Sequence, residues 1–245
     1  MIRFRPALVV ALALFASSPA RAQQACVAST YQGIFYTFPL ITGSTTAPFF
    51  DTNPMMACPT LNAYCGWRVQ ADHTTGTFLT SCGGRICSQE VGSPAFATGR
   101  FTDSYTLIGP GSDPIAIAPV LSVHFVSGTI IFDYPFGPEC TSGGGKAQLV
   151  RPGADSVGVQ AYGCPNALDL TQDLPLSILA TPGVPFDLTV ALESDGACSI
   201  GEQSTASLRF DNVPQAYAIV SCKGFLRGAV PTRTTSWGRL KQIYR

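Results

Sequence analysis

An alternation of apolar and polar residues with a period of two limits this chain to few folds. In FDLTVALE (186–193), Phe186, Leu188, Val190 and Leu192 share one parity; Asp187, Thr189, Ala191 and Glu193 share the other. A segment of this kind buries a single face only as a β-strand. TASLRFD (205–211) repeats the pattern with Ala206, Leu208 and Phe210 inward, and AYAIVSC (216–222) follows the break at Asn212–Pro214. The three are expected to form an antiparallel meander. VLSVHFV (120–126) and TIIFDY (129–134), separated by Ser127-Gly128, read as a tight hairpin. Further strands are expected at 32–38, 67–71, 77–80, 104–108, 146–150, 157–162 and 176–180. Breakers stand between them at GPGSDP (109–114), FGPE (136–139), SGGGK (142–146) and TPGVP (181–185). Many short strands punctuated this often indicate an all-β chain, an antiparallel β-sandwich of jelly-roll or immunoglobulin-like type. One sandwich over 23–230 is expected, with SGGG (142–145) as a flexible turn and the best candidate boundary.

The N-terminus has the layout of a secretory signal peptide. Arg3 and Arg5 precede a ten-residue apolar run (7–16), and Ala20 and Ala22 stand in A-x-A spacing. Ten apolar residues are about half of the ~20 that a bilayer span requires. Cleavage is expected after Ala22, with no membrane span in the mature chain and a secreted, extracellular or envelope location. All nine cysteines follow that point, so an oxidising compartment makes disulfides the default. The spacings of Cys58–Cys65 and Cys82–Cys87 are not those of a zinc knuckle. Proximity pairs Cys58 with Cys65, Cys82 with Cys87, Cys140 with Cys164 and Cys198 with Cys222. Cys26 is then the odd cysteine, free or intermolecular, unless it displaces a partner in one of these pairs.

Charge narrows the function classes. Only 12% of residues are charged and the formal net charge is zero, which excludes the basic face of a generic nucleic-acid binder. Removal of Arg3, Arg5 and Arg21 leaves 12 basic and 15 acidic residues, net −3. Residues 231–245 hold Arg233, Arg239, Lys241 and Arg245 and no acid. In SWGRLKQIYR, Trp237, Leu240 and Tyr244 are spaced as one face of a short amphipathic helix. Trp237, Gly238, Lys241, Tyr244 and Arg245 are therefore the candidate sorting tail. No G-x-S-x-G or H-E-x-x-H motif occurs. The two histidines, His73 and His124, read as surface residues before they read as general bases or ligands. Asp169 with Asp173, and Glu193 with Asp195, read as turn formers before they read as a calcium loop. Trp67 and Trp237 are the aromatics expected to stack on a sugar, if any does. No catalytic residue, metal or cofactor is expected.

The segments LPLSILATPGVPFDLTVALES (174–194), TASLRFDNVPQAYAIVSCKGF (205–225) and GRFTDSYTLIGPGSDP (99–114) resemble uncharacterised secreted bacterial β-sandwich proteins. Cargo of the PEP-CTERM/exosortase type is among them. This chain lacks that group's V-P-E-P motif and C-terminal apolar span. It ends instead in TSWGRLKQIYR (235–245), which resembles a T-W-G-x-(I/L)-K-x-x-Y-R terminal tag. The resemblance implies a sandwich and no catalytic residues. Three functions follow: a non-enzymatic structural, adhesive or surface-assembly protein, a carbohydrate-binding module, or a secreted hydrolase built on a histidine. The partners they imply are a cell-surface component, export machinery or a glycan. An exposed row of aromatics marks the second, and a cleft joining histidine, carboxylate and hydroxyl marks the third.

Overall fold

The computed structural model describes residues 26–35, 40–57, 64–84, 94–127, 129–134, 137–163, 167–197 and 202–227. They form strands, and no helix is present among them. In chain order these are β1 (Ser29–Phe35), β2 (Ile41–Thr45), β3 (Phe49–Thr52), β4 (Met55–Ala57), β5 (Tyr64–Asp72), β6 (Thr77–Gly84), β7 (Pro94–Ile108), β8 (Ile115–Ser127), β9 (Thr129–Tyr134), β10 (Gly137–Ser142), β11 (Gly144–Val150), β12 (Ser156–Tyr162), β13 (Leu168–Pro175), β14 (Ile178–Ala180), β15 (Pro185–Ala197), β16 (Glu202–Asp211), β17 (Ala218–Ser221) and β18 (Leu226–Arg227).

Two antiparallel sheets pack as a sandwich. The first runs β12-β11-β15-β7-β1-β2, with β17 on β7 and β18 on β17. The second runs β13-β8-β16-β6-β5-β3, with β14 on β8 and β4 on β5. The period-two residues face each other between them. Phe101 and Leu107 of β7 and Leu188, Val190 and Leu192 of β15 come from one side. Leu121, Val123 and Phe125 of β8 and Leu208 and Phe210 of β16 come from the other. Phe78 and Phe101 stack across the gap at 4.8 Å between centroids. Each such side chain contributes about 1.5–3 kcal/mol by leaving water.

Several expectations change. The meander does not form: β15 lies in the first sheet, β16 in the second, and β17 returns to the first. Alternation reports that one face is buried but not which sheet supplies the cover. The hairpin at Ser127-Gly128 does not form either. β8 is flanked by β13 and β16 along 120–127, so β9 pairs with β10 instead. The SGGG segment is not a flexible turn, because Gly143, Gly144 and Gly145 are buried at the start of β11. A Cβ at Gly143 would overlap the Glu202 side chain, and one at Gly145 would stand 2.5 Å from the Phe125 ring. Trp67 is 2% exposed, packed under Gly33, where a Cβ would lie 2.2 Å from the indole. It stacks on no sugar. Asp169 and Asp173 sit on β13, and Glu193 and Asp195 on β15, so none of them forms a turn.

The disulfide of Cys222 is made with Cys26, at 5.5 Å between Cα atoms, and not with Cys198. Cys26 is therefore not the odd cysteine. β1 covers residues 95–100 of β7, and β17 covers residues 105–108 of the same edge. The start of β1 and the end of β17 thus meet near Ser104, whose carbonyl accepts from the Cys222 amide at 2.9 Å. Cys58, Cys87, Cys164 and Cys198 lie outside the described residues, as do residues 1–25 and the tail 231–245. Cys65 and Cys140 fall on β5 and β10, and Cys82 is buried on β6. The bridge spans 196 residues. Replacing both cysteines with serine is expected to cost about 3–5 kcal/mol in a guanidinium titration, from the loop-closure entropy it removes from the unfolded chain. A peptide map joining Cys26 to Cys222 checks the pairing itself.

Candidate functional site

One constellation combines hydroxyl, imidazole, carboxylate and amine. It begins in ADHTTG. Asp72 Oδ1 accepts from the Thr74 amide at 2.9 Å and from the Thr75 amide at 3.3 Å, an Asx turn that closes the β5–β6 hairpin. Gly76 completes it at φ +70°. The turn directs His73 inward, where its ring meets Phe78 edge-on at 5.5 Å. Asp103 shares the inward parity of Phe101 and Tyr105 on β7, so it also points into the sandwich. Lys223 follows Cys222, and Ser29 opens β1.

The bridge that joins β1 to the end of β17 therefore brings Ser29 and Lys223 together. Lys223 Nζ donates to Ser29 Oγ and to the Thr102 carbonyl, each at 2.8 Å, and lies 3.3 Å from His73 Nε2. Ser29 Oγ is 3.0 Å from His73 Nε2. Asp103 Oδ1 accepts from the Ser104 amide at 2.8 Å and the Lys223 amide at 3.2 Å. His73 Nδ1 and Asp103 Oδ2 face each other at 3.9 Å, and neither has a hydrogen-bond partner. Burial and the Lys223 charge lower the His73 pKa to about 3, so the imidazole is neutral at neutral pH. Burial lowers Lys223 to about 8 and raises Asp103.

These groups carry the chemical types of a serine hydrolase, but the cluster is not a cleft. Exposure is 0% at Ser29 and His73, 1% at Asp103 and 3% at Lys223. Water and substrate are excluded from the hydroxyl, and the histidine–carboxylate hydrogen bond that orients a general base is absent at 3.9 Å. The expectation of His73 as a surface residue is overturned: it is the centre of a sealed polar core. The sequence showed the turn, but not that its second residue faces inward.

His124 is a surface residue, with Nε2 2.8 Å from the exposed Asp169. Beside it, Arg209 bonds Ser122 and Asp173, and holds the Asp173 carboxyl down at about 2. At the other end of the interior, Glu202 of β16 lies beside Cys82 of β6, with 3.4 Å between Oε2 and Sγ. Hydroxyls of Thr80, Ser194 and Ser204 form a ladder nearby. Glu202 Oε1 has no partner, and burial raises the pKa to about 8. Sequence reasoning missed this group. Its only signal was a glutamate sharing the parity of Ser204, Ala206, Leu208 and Phe210 on one strand.

Among the described residues, no group of three or more His, Cys, Asp and Glu side chains is arranged to hold a metal ion. No helix among them is long and apolar enough to cross a membrane. The exposed large aromatics among them are Phe49 on β3 and Tyr162 on β12, one per sheet and not a row. No family model matches this chain, and a search of curated proteins returned no significant match.

Two outcomes follow. Lys223→Met leaves the Thr102 carbonyl and Ser29 hydroxyl without their donor, and is expected to cost about 2–4 kcal/mol in equilibrium unfolding. Glu202 takes up its proton more readily folded than unfolded, so its contribution is present below pH 4.5 and lost as pH rises through about 8. Glu202→Gln should therefore match the parent near pH 4 and melt higher at pH 9. The gap is about 2–4 °C per kcal/mol recovered, measured by calorimetry across that range.

Proposed function

We propose that this chain is an exported, non-enzymatic β-sandwich of bacterial origin with a structural, adhesive or surface-assembly role outside the cytoplasm or in the cell envelope. The observation that carries this reading is the sealing of the Ser29–His73–Asp103–Lys223 cluster, which turns potential catalytic groups into internal supports. The leader, the cysteine-rich mature chain and the resemblance to exported cargo point the same way. Both sheets carry exposed ion pairs, Lys146–Glu193 on the first and Arg209–Asp173 on the second, together with exposed apolar side chains such as Tyr162, Phe49 and Val126, a mixture suited to contact with a surface. The basic tail with Trp237 and Tyr244 fits a sorting or docking element.

Purified mature protein should show no turnover of ester, amide or glycoside substrates. Hydrolysis abolished by His73→Ala in a variant that still folds would overturn the proposal. In expressing cells, the protein should be recovered from the envelope or medium with Gln23 as its first residue. Truncation after residue 230 should redistribute it between those fractions with little change in melting temperature.

A further inference from the structure

The first sheet ends at β12, which pairs with β11 alone among the described residues. The amide and carbonyl of every second residue in its seven, SVGVQAY, therefore point away from the sheet, and an edge in that state is a template for another strand. Proteins blunt such edges with charge, proline or shortness. The other edges of the two large sheets are blunted. β13 carries Asp169, Asp173 and Pro175. β3 has four residues and holds Asp51, and β4, β14 and β18 have three, three and two residues. β2 has five, and the side chains it turns inward are Ile41, Gly43 and Thr45, only one of them large and apolar. β12 has no charge and no proline.

β12 also leaves apolar surface open. Val157, Val159 and Ala161 face the core and pack against it, yet each is only half-buried, because no strand lies beyond them. Leu168 and Leu170 of β13, the edge of the second sheet on the same side, are half-buried too. On the outer side Ser156, Gly158, Gln160 and Tyr162 are exposed. Tyr162 leans back over Gly144 of β11, where a Cβ would stand 2.2 Å from its ring, and so does not block the edge.

We infer that β12 pairs antiparallel with β12 of a second copy of this chain, about a two-fold axis through Val159, and joins two first sheets into one. A two-fold contact needs a surface complementary to itself. Pairing about Val159 uses all seven residues, whereas an axis through Gly158 or Gln160 leaves two residues of each strand unpaired. On the inner side Val157 meets Ala161 of the second copy and Val159 meets Val159, which continues the apolar layer across the junction. On the outer side Gln160 meets Gly158 and Tyr162 meets Ser156, a long side chain against a short one each time. Neither strand carries a charge, and Asp155 falls opposite Gly163 rather than its own copy. The match follows from symmetry and asks for no partner of another sequence. The seam is roughly 23 Å long at about 3.3 Å per residue, and about 10 Å deep from sheet to sheet. Such a contact falls below the ~1,000 Å² of a stable interface, so the pair forms where copies are crowded, as on a surface. The inference rests on the surface-assembly role proposed above and names a second copy as the partner.

The test is sedimentation velocity of the full mature protein over a micromolar to millimolar series, in which monomer and dimer should exchange with concentration. Gln160→Glu and Gln160→Lys each set like charges diagonally across the axis, about 7–8 Å apart. Each alone should weaken the dimer about two- to fivefold, and an equimolar mixture of the two should restore it. Both should keep the parent melting temperature, because Gln160 is exposed. Val159→Cys places two sulfurs at the axis with roughly 4.5–5.5 Å between Cα atoms, inside the disulfide range. Mild oxidation should join two copies at residue 159, mapped by peptide mass spectrometry. Ser156→Cys stands about 20 Å from its symmetry mate and should stay unlinked. A monomer throughout the series, a dimer indifferent to both Gln160 variants, or Ser156→Cys linking as readily as Val159→Cys would overturn the inference. Linkage of Val159→Cys to the chain's own tail or to another protein instead of to its copy overturns it as well. A monomer that still accumulates at the envelope overturns this inference and leaves the surface role standing. Hydrolytic turnover overturns the surface role instead.

Discussion

Both sheets depend on strands that arrive late in the chain. β15 lies between β7 and β11, and β16 lies between β6 and β8. Without them the first sheet splits into β1-β2-β7 and β11-β12, and the second separates β5-β6 from β8-β13. Main-chain hydrogen bonds left open at a buried edge are costly, so neither half is complete until residues 185–211 are in place. This topology rests chiefly on contacts between residues far apart in sequence, the kind whose closure makes β-sandwiches slow to fold.

β7 is the other half of that dependence. One edge carries β15 along its length, and the opposite edge is shared by β1 and β17. That sharing sets Cys26 against Cys222 and encloses Ser29, Asp103 and Lys223 at the junction. The disulfide and the polar cluster are thus one feature seen twice: the first ties the two ends covalently, and the second satisfies the polar groups enclosed with them. A neutral His73 and a half-compensated Lys223 cost less inside than a full set of charges, because desolvation penalises each charged form.

The division between interior and surface also sorts the functional groups. His73, Asp103, Lys223, Cys82 and Glu202 went inward, where they are enclosed, while His124 stayed at the surface. Hydroxyls went both ways, with Ser29, Thr80, Ser194 and Ser204 buried, while the ion pairs of Lys146, Arg68, Arg209 and His124 stand outward.

The strand pattern was legible because burial of one face imposes a period of two locally: FDLTVALE and TASLRFD could be read without knowing their neighbours. The turn at ADHTTG and the breaks at GPGSDP and TPGVP were legible for the same reason, since Asp, Gly and Pro act on their own backbone. Edge strands such as β2, β3 and β13 were not, because a half-exposed edge relaxes the alternation. The two-sheet class followed from sequence alone. Which strands neighbour one another did not, since β8 chose β13 and β16 over the nearby β9, and β15 and β16 parted to opposite sheets. Cys26 and Cys222 meet and His73 turns inward only through those choices. Pairing between distant segments is decided by the joint burial of both faces, a property of the whole chain that no single segment carries.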